Sequence, residues 1–175
     1  AFEIVGMSKG AQLVLAASSR KKIGVFATEF TINSGAHKAA ILAADDGADV
    51  YPQACPKFVP LIEGEQFDGA EVRAAVAEYA APLKAAGIDT LILSCTHYPF
   101  IQKEIESEFG SEVTVIDPAD ATAQDTKLVL AAEGLLRSEG AGSLEVCFTA
   151  DVERGARIAG RMLPQEKCRF KEIKL

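Results

Sequence analysis

The chain has 175 residues, 49% of them apolar and 25% charged, with 18 basic against 25 acidic side chains for a net charge of −7. At roughly 100–200 residues per domain, that is one compact domain or two small lobes, enough to bury a core without disulfide staples. So acidic a chain has no general attraction to nucleic acid or anionic lipid, and no apolar run nears the roughly 18 residues that span a bilayer.

In chain order, short β-branched runs alternate with Ala-rich amphipathic stretches. Glu3–Gly6 reads as a strand that opens the chain without an initiating Met or a preceding loop, so an upstream portion is expected. A helix over Gly10–Ala17 follows, then a strand over Ile23–Thr28, a helix over Ser34–Asp46 and a strand over Asp49–Ala54. Val72, Val76, Tyr79, Ala80 and Leu83 fall on one stripe of a helix over Gly69–Ala86, with Pro82 as an expected kink and Gly87 as its stop. Thr90–Cys95 reads as a strand whose Thr90-Leu91-Ile92-Leu93 is continuously apolar after its first residue, as in a parallel strand covered on both faces. Helix Pro99–Phe109, strand Val113–Asp117 and helix Ala119–Ser138 come next, then a Gly/Ser/Glu-rich loop over Gly134–Ser143. Strand Leu144–Thr149, helix Val152–Leu163 and strand Cys168–Lys174 close the chain as a βαβ unit. This rhythm predicts an α/β fold with a doubly wound, mostly parallel sheet.

The four cysteines, Cys55, Cys95, Cys147 and Cys168, show no CxxC spacing, which argues against a zinc ribbon or a disulfide scaffold and for a reducing compartment. Cys95 ends an apolar strand, and Pro99 sits where the first turn of the next helix begins. Open α/β sheets bind ligands beyond the carboxyl ends of their strands. A thiol there faces a helix N-terminus, whose partial positive charge favours the thiolate, so Cys95 is expected to be the fastest-reacting thiol at neutral pH. His97, two residues on, suits a proton relay. The competing reading is structural: a small buried hydrophobe at a strand end, with a lone neighbouring histidine. His37, on a predicted helix, reads as solvated, and Cys55, Cys147 and Cys168 read as structural.

Cys95-Thr96-His97-Tyr98-Pro99 after an apolar strand resembles the second catalytic-cysteine motif of the glutamate racemases, within the aspartate/glutamate racemase superfamily. Three further segments match in order: Ile23–Thr28 with Thr31–Ala36, Ala54–Glu63, and Val115–Pro118. The resemblance implies a cofactor-independent, metal-free, two-base reaction, in which one thiolate removes the α-proton and a second thiol returns one on the opposite face. It implies Cys95 as one catalytic thiol, His97 as its assistant and Glu63 as the supporting acid, with Glu65 as the alternative. Thr96, Thr28 and Thr31 become substrate-binding candidates, against plain roles as caps and strand ends.

The resemblance further implies glutamate as a small-molecule substrate, D-glutamate supply for peptidoglycan and hence cell shape, a cytoplasmic location, and a homodimer as the family's frequent assembly. Nucleic acid and membrane are not expected partners. Residues 20–118 would form the second racemase lobe, with 1–19 and 119–175 as the remainder of an incomplete first lobe. The family's first cysteine, in an Ala-Cys-Asn-Thr-like motif, and its Asp-Ser-Gly motif have no counterpart here, since no cysteine precedes Cys55. An aspartate racemase, a single-cysteine enzyme like arylmalonate decarboxylase, and a non-catalytic interaction module therefore stay as alternatives.

Overall fold

A computed structural model describes residues 3–6, 10–140, 142–163 and 168–174. The described residues divide into two compact units, one running to Gly134 and the other from Leu135.

The first unit is built on four parallel strands, β1 (Lys22–Ala27), β2 (Asp49–Ala54), β3 (Thr90–Leu93) and β4 (Thr114–Ile116), in the order β2-β1-β3-β4. The register pairs Phe26 with Leu93 and Ala27 with Ala54, so β1, β2 and β3 end along one edge. Every residue of β3 is buried, which agrees with its unbroken apolar sequence and shows helices on both faces. On one face α1 (Ala11–Ala17) and α3 (Ala36–Ala44) enclose Val14, Ile23, Val25, Ile41 and Ile92. On the other, α4 (Phe58–Glu63), α5 (Ala70–Ala86) and α6 (Gln102–Phe109) cover Phe26, Leu91 and Leu93. In the sequence α2 (Glu29–Ser34) lies between β1 and α3, and α7 (Ala119–Ala132) follows β4.

The larger core is aromatic. Phe58 meets Tyr98, Tyr79 and Phe26 edge-on at centroid distances of 5.1, 5.2 and 5.7 Å, the arrangement favoured by ring quadrupoles. This cluster ties α4 to the 3-10 turn at Tyr98–Ile101, and so fixes the two segments that flank the end of β3.

The second unit is a βαβ motif. β5 (Leu144–Phe148) pairs in parallel with β6 (Cys168–Glu172) through α8 (Val152–Ala159), as its sequence predicts. Gly155 packs where any Cβ would come within 2.3 Å of the Phe148 ring.

Several expectations are corrected. Glu3–Gly6 is not a strand: Ile4 is exposed, and a lone apolar run without a ladder partner has no reason to extend. The helix expected from Ser34 starts at Ala36, because Gly35 in the left-handed region closes α2 and opens α3. Helices α2 and α4 have no counterpart in the sequence pattern, being six residues each and too short to show a period. Pro82 lies inside α5 on its exposed side, and the helix continues through it. The strand expected to reach Cys95 stops at Leu93, so Cys95 sits in the turn beyond it. Among the described residues, no helix is long and apolar enough to cross a membrane.

Candidate active site at the strand ends

Cys95 lies two residues past β3, half-buried against the aromatic core. His97 follows on the same turn, directly before Tyr98, whose fully buried ring and hydroxyl bond to the Cys55 carbonyl (3.3 Å) hold the segment down. Glu63 is the last residue of α4. That helix stops there because Glu65 adopts a left-handed conformation (φ 59°), with its N–H on the Ile62 carbonyl and the Gln66 N–H on that of Leu61.

Together these elements place three side chains in line. His97 Nε2 stands 2.7 Å from Glu63 Oε1, and His97 Nδ1 stands 4.0 Å from Cys95 Sγ. A carboxylate accepts a hydrogen bond only from a protonated nitrogen, so Glu63 fixes the proton on Nε2 and leaves the Nδ1 lone pair toward the thiol in the neutral ring. Of the two candidate acids, Glu63 is the one that reaches His97; Glu65 is exposed in the turn.

The thiol's electrostatics differ from the expectation. Burial pushes the Cys95 thiol up, and the backbone N–H groups of His97 and Tyr98 offset this only in part. Desolvation of the half-buried sulfur outweighs the stabilisation of the thiolate expected from a helix terminus. Cys55 is buried, donates to the Gln53 carbonyl at 3.5 Å and is pushed up strongly by burial, as befits a structural thiol. Cys147 is exposed on β5 and Cys168 half-buried on β6.

The threonines separate into two roles. Thr28 caps α2, its Oγ1 accepting from the Thr31 N–H (3.4 Å) and lying 3.1 Å from the Thr31 hydroxyl. Both stand just beyond β1, on the sheet edge where β3 also ends. Thr96 is exposed on the Cys95 turn. His37 is not the solvated residue its sequence suggests: it is half-buried, with Nδ1 3.3 Å from Ser94 Oγ. Nothing in the local sequence signals that contact, because it depends on where Gly35 aims the start of α3.

The chain is similar to known proteins over most of its length. The Asp/Glu/Hydantoin racemase family matches residues 4–126. A glutamate racemase of Lysinibacillus sphaericus (strain C3-41) is 41% identical over 136 residues, covering 77% of this chain and 51% of the relative. That of Aquifex aeolicus (strain VF5) is 39% identical over 166 residues, covering 94% and 61%. Among solved structures, the glutamate racemase isoform RacE1 of Bacillus anthracis aligns with a TM-score of 0.83 at 30% identity, covering 95% of this chain and 62% of that one. The Francisella tularensis glutamate racemase, solved in complex with D-glutamate, gives 0.79 at 26%, covering 95% and 61%. The chain thus spans about half to three-fifths of the length of these relatives. With most of its length matched and its strand-end thiol in the matched segment, the chain belongs to the Asp/Glu/Hydantoin racemase family.

Proposed function

We propose that the protein is an isomerase of the glutamate racemase type, and that Cys95 is one of the thiols that carries the α-proton. The observation that carries this reading is the Cys95–His97–Glu63 line at the carboxyl ends of parallel strands. Its support from relatives is their shared name, glutamate racemase, at about two-fifths identity.

The residues suit the chemistry. A raised thiol is a poor base until something takes its proton, and His97 Nδ1 is the acceptor in reach. Transfer of the S–H proton to Nδ1 gives a thiolate beside an imidazolium whose other N–H is held by Glu63, the same base-plus-orienter logic that activates nucleophilic thiols elsewhere. The thiolate then takes the α-proton of a bound amino acid and becomes a thiol, leaving a carbanion whose developing negative charge the site has to stabilise. Inversion requires a second acid on the opposite face of that carbanion. Return of a proton by Cys95 itself gives exchange with solvent and retention.

The same proposal takes glutamate as substrate, following the D-glutamate bound by the Francisella relative. It also takes in cytoplasmic supply of D-glutamate for peptidoglycan, and residues 20–118 as one lobe of a two-lobed fold with a homodimer as its assembly. The test is α-proton exchange in D₂O followed by NMR, with glutamate and aspartate side by side. Wash-out from glutamate well ahead of aspartate is expected. No exchange from either amino acid, by folded protein, overturns the reading.

A further inference from the structure

Ser94, immediately ahead of Cys95, lengthens the β1–β3 ladder by one bond, its N–H donating to the Phe26 carbonyl at 2.8 Å. Side chains alternate along a strand. Ser94 therefore follows Ile92 toward the α1–α3 face, whereas Cys95 follows Leu93 toward the aromatic core. The contacts agree, since Cys95 packs on that core and Ser94 Oγ lies 3.3 Å from His37 Nδ1 on α3. His37 is the second residue of α3, and Gly35 (φ 65°) turns the chain to bring it there. It also borders a small cavity of about 50 Å³ shared with Val25, Thr31 and Pro52. The strand end thus carries an imidazole on each face: His97 on the side of the sulfur, His37 behind it.

We propose that His37 is a positioning residue for the Cys95 thiol, acting through Ser94 to pin the end of β3 and set how deeply the sulfur sits. This rests on the reading of Cys95 as the working thiol. The turn from Cys95 to His97 leaves the ladder at Ser94, so the Ser94 anchor decides where the turn starts. Burial is also the largest influence on the thiol, which makes sulfur depth the quantity that an anchor on the opposite face controls. Release of the anchor lets the turn lift and exposes the sulfur.

The test is site-resolved alkylation, read by peptide mass spectrometry, in His37→Ala, Ser94→Ala and His37→Asn, with Cys55 as an internal control. An asparagine at 37 places an amide close to where Nδ1 stands and restores the bond. Loss of the contact in either alanine variant is expected to speed Cys95 alkylation at pH 7 about fivefold, the weight of one neutral hydrogen bond, and to lower its pH midpoint. His37→Asn returns both to within about twofold of the parent. Cys55, buried in the same core, stays unreactive throughout. Unchanged Cys95 rates in both alanine variants overturn the proposal, as does an asparagine variant no better than alanine, or a Cys55 rate that rises in parallel and reports general loosening. If the alkylation pattern holds while the parent exchanges no α-proton with glutamate, the positioning role is supported and the functional reading fails instead.

Discussion

His97 stands between a carboxylate at 2.7 Å and a sulfur at 4.0 Å, and each neighbour gives it half of its assignment. Glu63→Gln keeps the shape but removes the charge that balances an imidazolium, so exchange of the glutamate α-proton is expected to fall about 10²-fold, at the lower end for general acid–base groups. A fall of less than twofold by NMR would remove Glu63 from the reaction. The raised thiol carries a sign that can be checked. A group held above its ordinary value binds its proton longer, so at pH 7 Cys95 has less thiolate than a free thiol of pKa about 8.5. Its alkylation rate then climbs with pH through a midpoint above that value, and the exposed Cys147 reacts first at neutral pH. That order reverses the expectation drawn from the helix terminus alone. The sequence could name Cys95, His97 and Glu63 because they sit in short contiguous motifs. It could not show the burial of the sulfur or the Ser94–His37 contact, which arise from packing between segments 57 residues apart.

Elements that hold the site in place can be weakened one at a time. Asp89, just before β3 and buried, accepts from the Ser18 hydroxyl (2.5 Å), the Arg20 N–H (2.6 Å) and the Ser19 hydroxyl (3.1 Å). Burial raises its carboxyl, but these donors together outweigh it and hold the group below the usual range. A depressed carboxylate stabilises the fold above the unfolded value of about 3.9, and the contribution fades as the pH falls through the lower folded value. Asp89→Asn is expected to cost about 2 kcal/mol at pH 7 in denaturant melts, and the gap to the parent closes toward pH 2. A gap independent of pH would show that shape alone matters. Two glycines separate conformation from crowding. Both Gly10 and Gly35 have positive φ, but a Cβ at Gly35 meets nothing within 4 Å, whereas one at Gly10 lies 2.4 Å from Ile92 Cδ1. Gly35→Ala should cost about 1 kcal/mol from backbone alone, and Gly10→Ala clearly more, with equal losses contradicting the crowding argument. Elements of this kind also mark the reach of sequence reading. Long periodic stretches such as α5 and the unbroken apolar β3 were legible, while the six-residue helices α2 and α4 were not, although α4 delivers Glu63.

At the scale of the molecule, the alternation of strand and helix foretold a parallel sheet, and the order β2-β1-β3-β4 gathers the strand ends that carry Thr28, Cys55 and Cys95 along one edge. Only the assembled sheet brings these together, since they are spread over 67 residues of sequence between Thr28 and Cys95. The closing βαβ unit was equally readable, because its alternation and its intervening helix are local features. On the proposed reading, proton exchange through Cys95 has a stereochemical signature. Cys95 approaches the α-carbon from one side, so exchange through this sulfur discriminates between mirror-image substrates. The decisive measurement is the rate of α-proton wash-out in D₂O from separate samples of L- and D-glutamate, with the parent chain and with Cys95→Ala at equal folded concentration. The account predicts exchange that favours one enantiomer and is lost in the alanine variant while its circular dichroism spectrum is unchanged. Exchange that survives in a folded Cys95→Ala protein would contradict it.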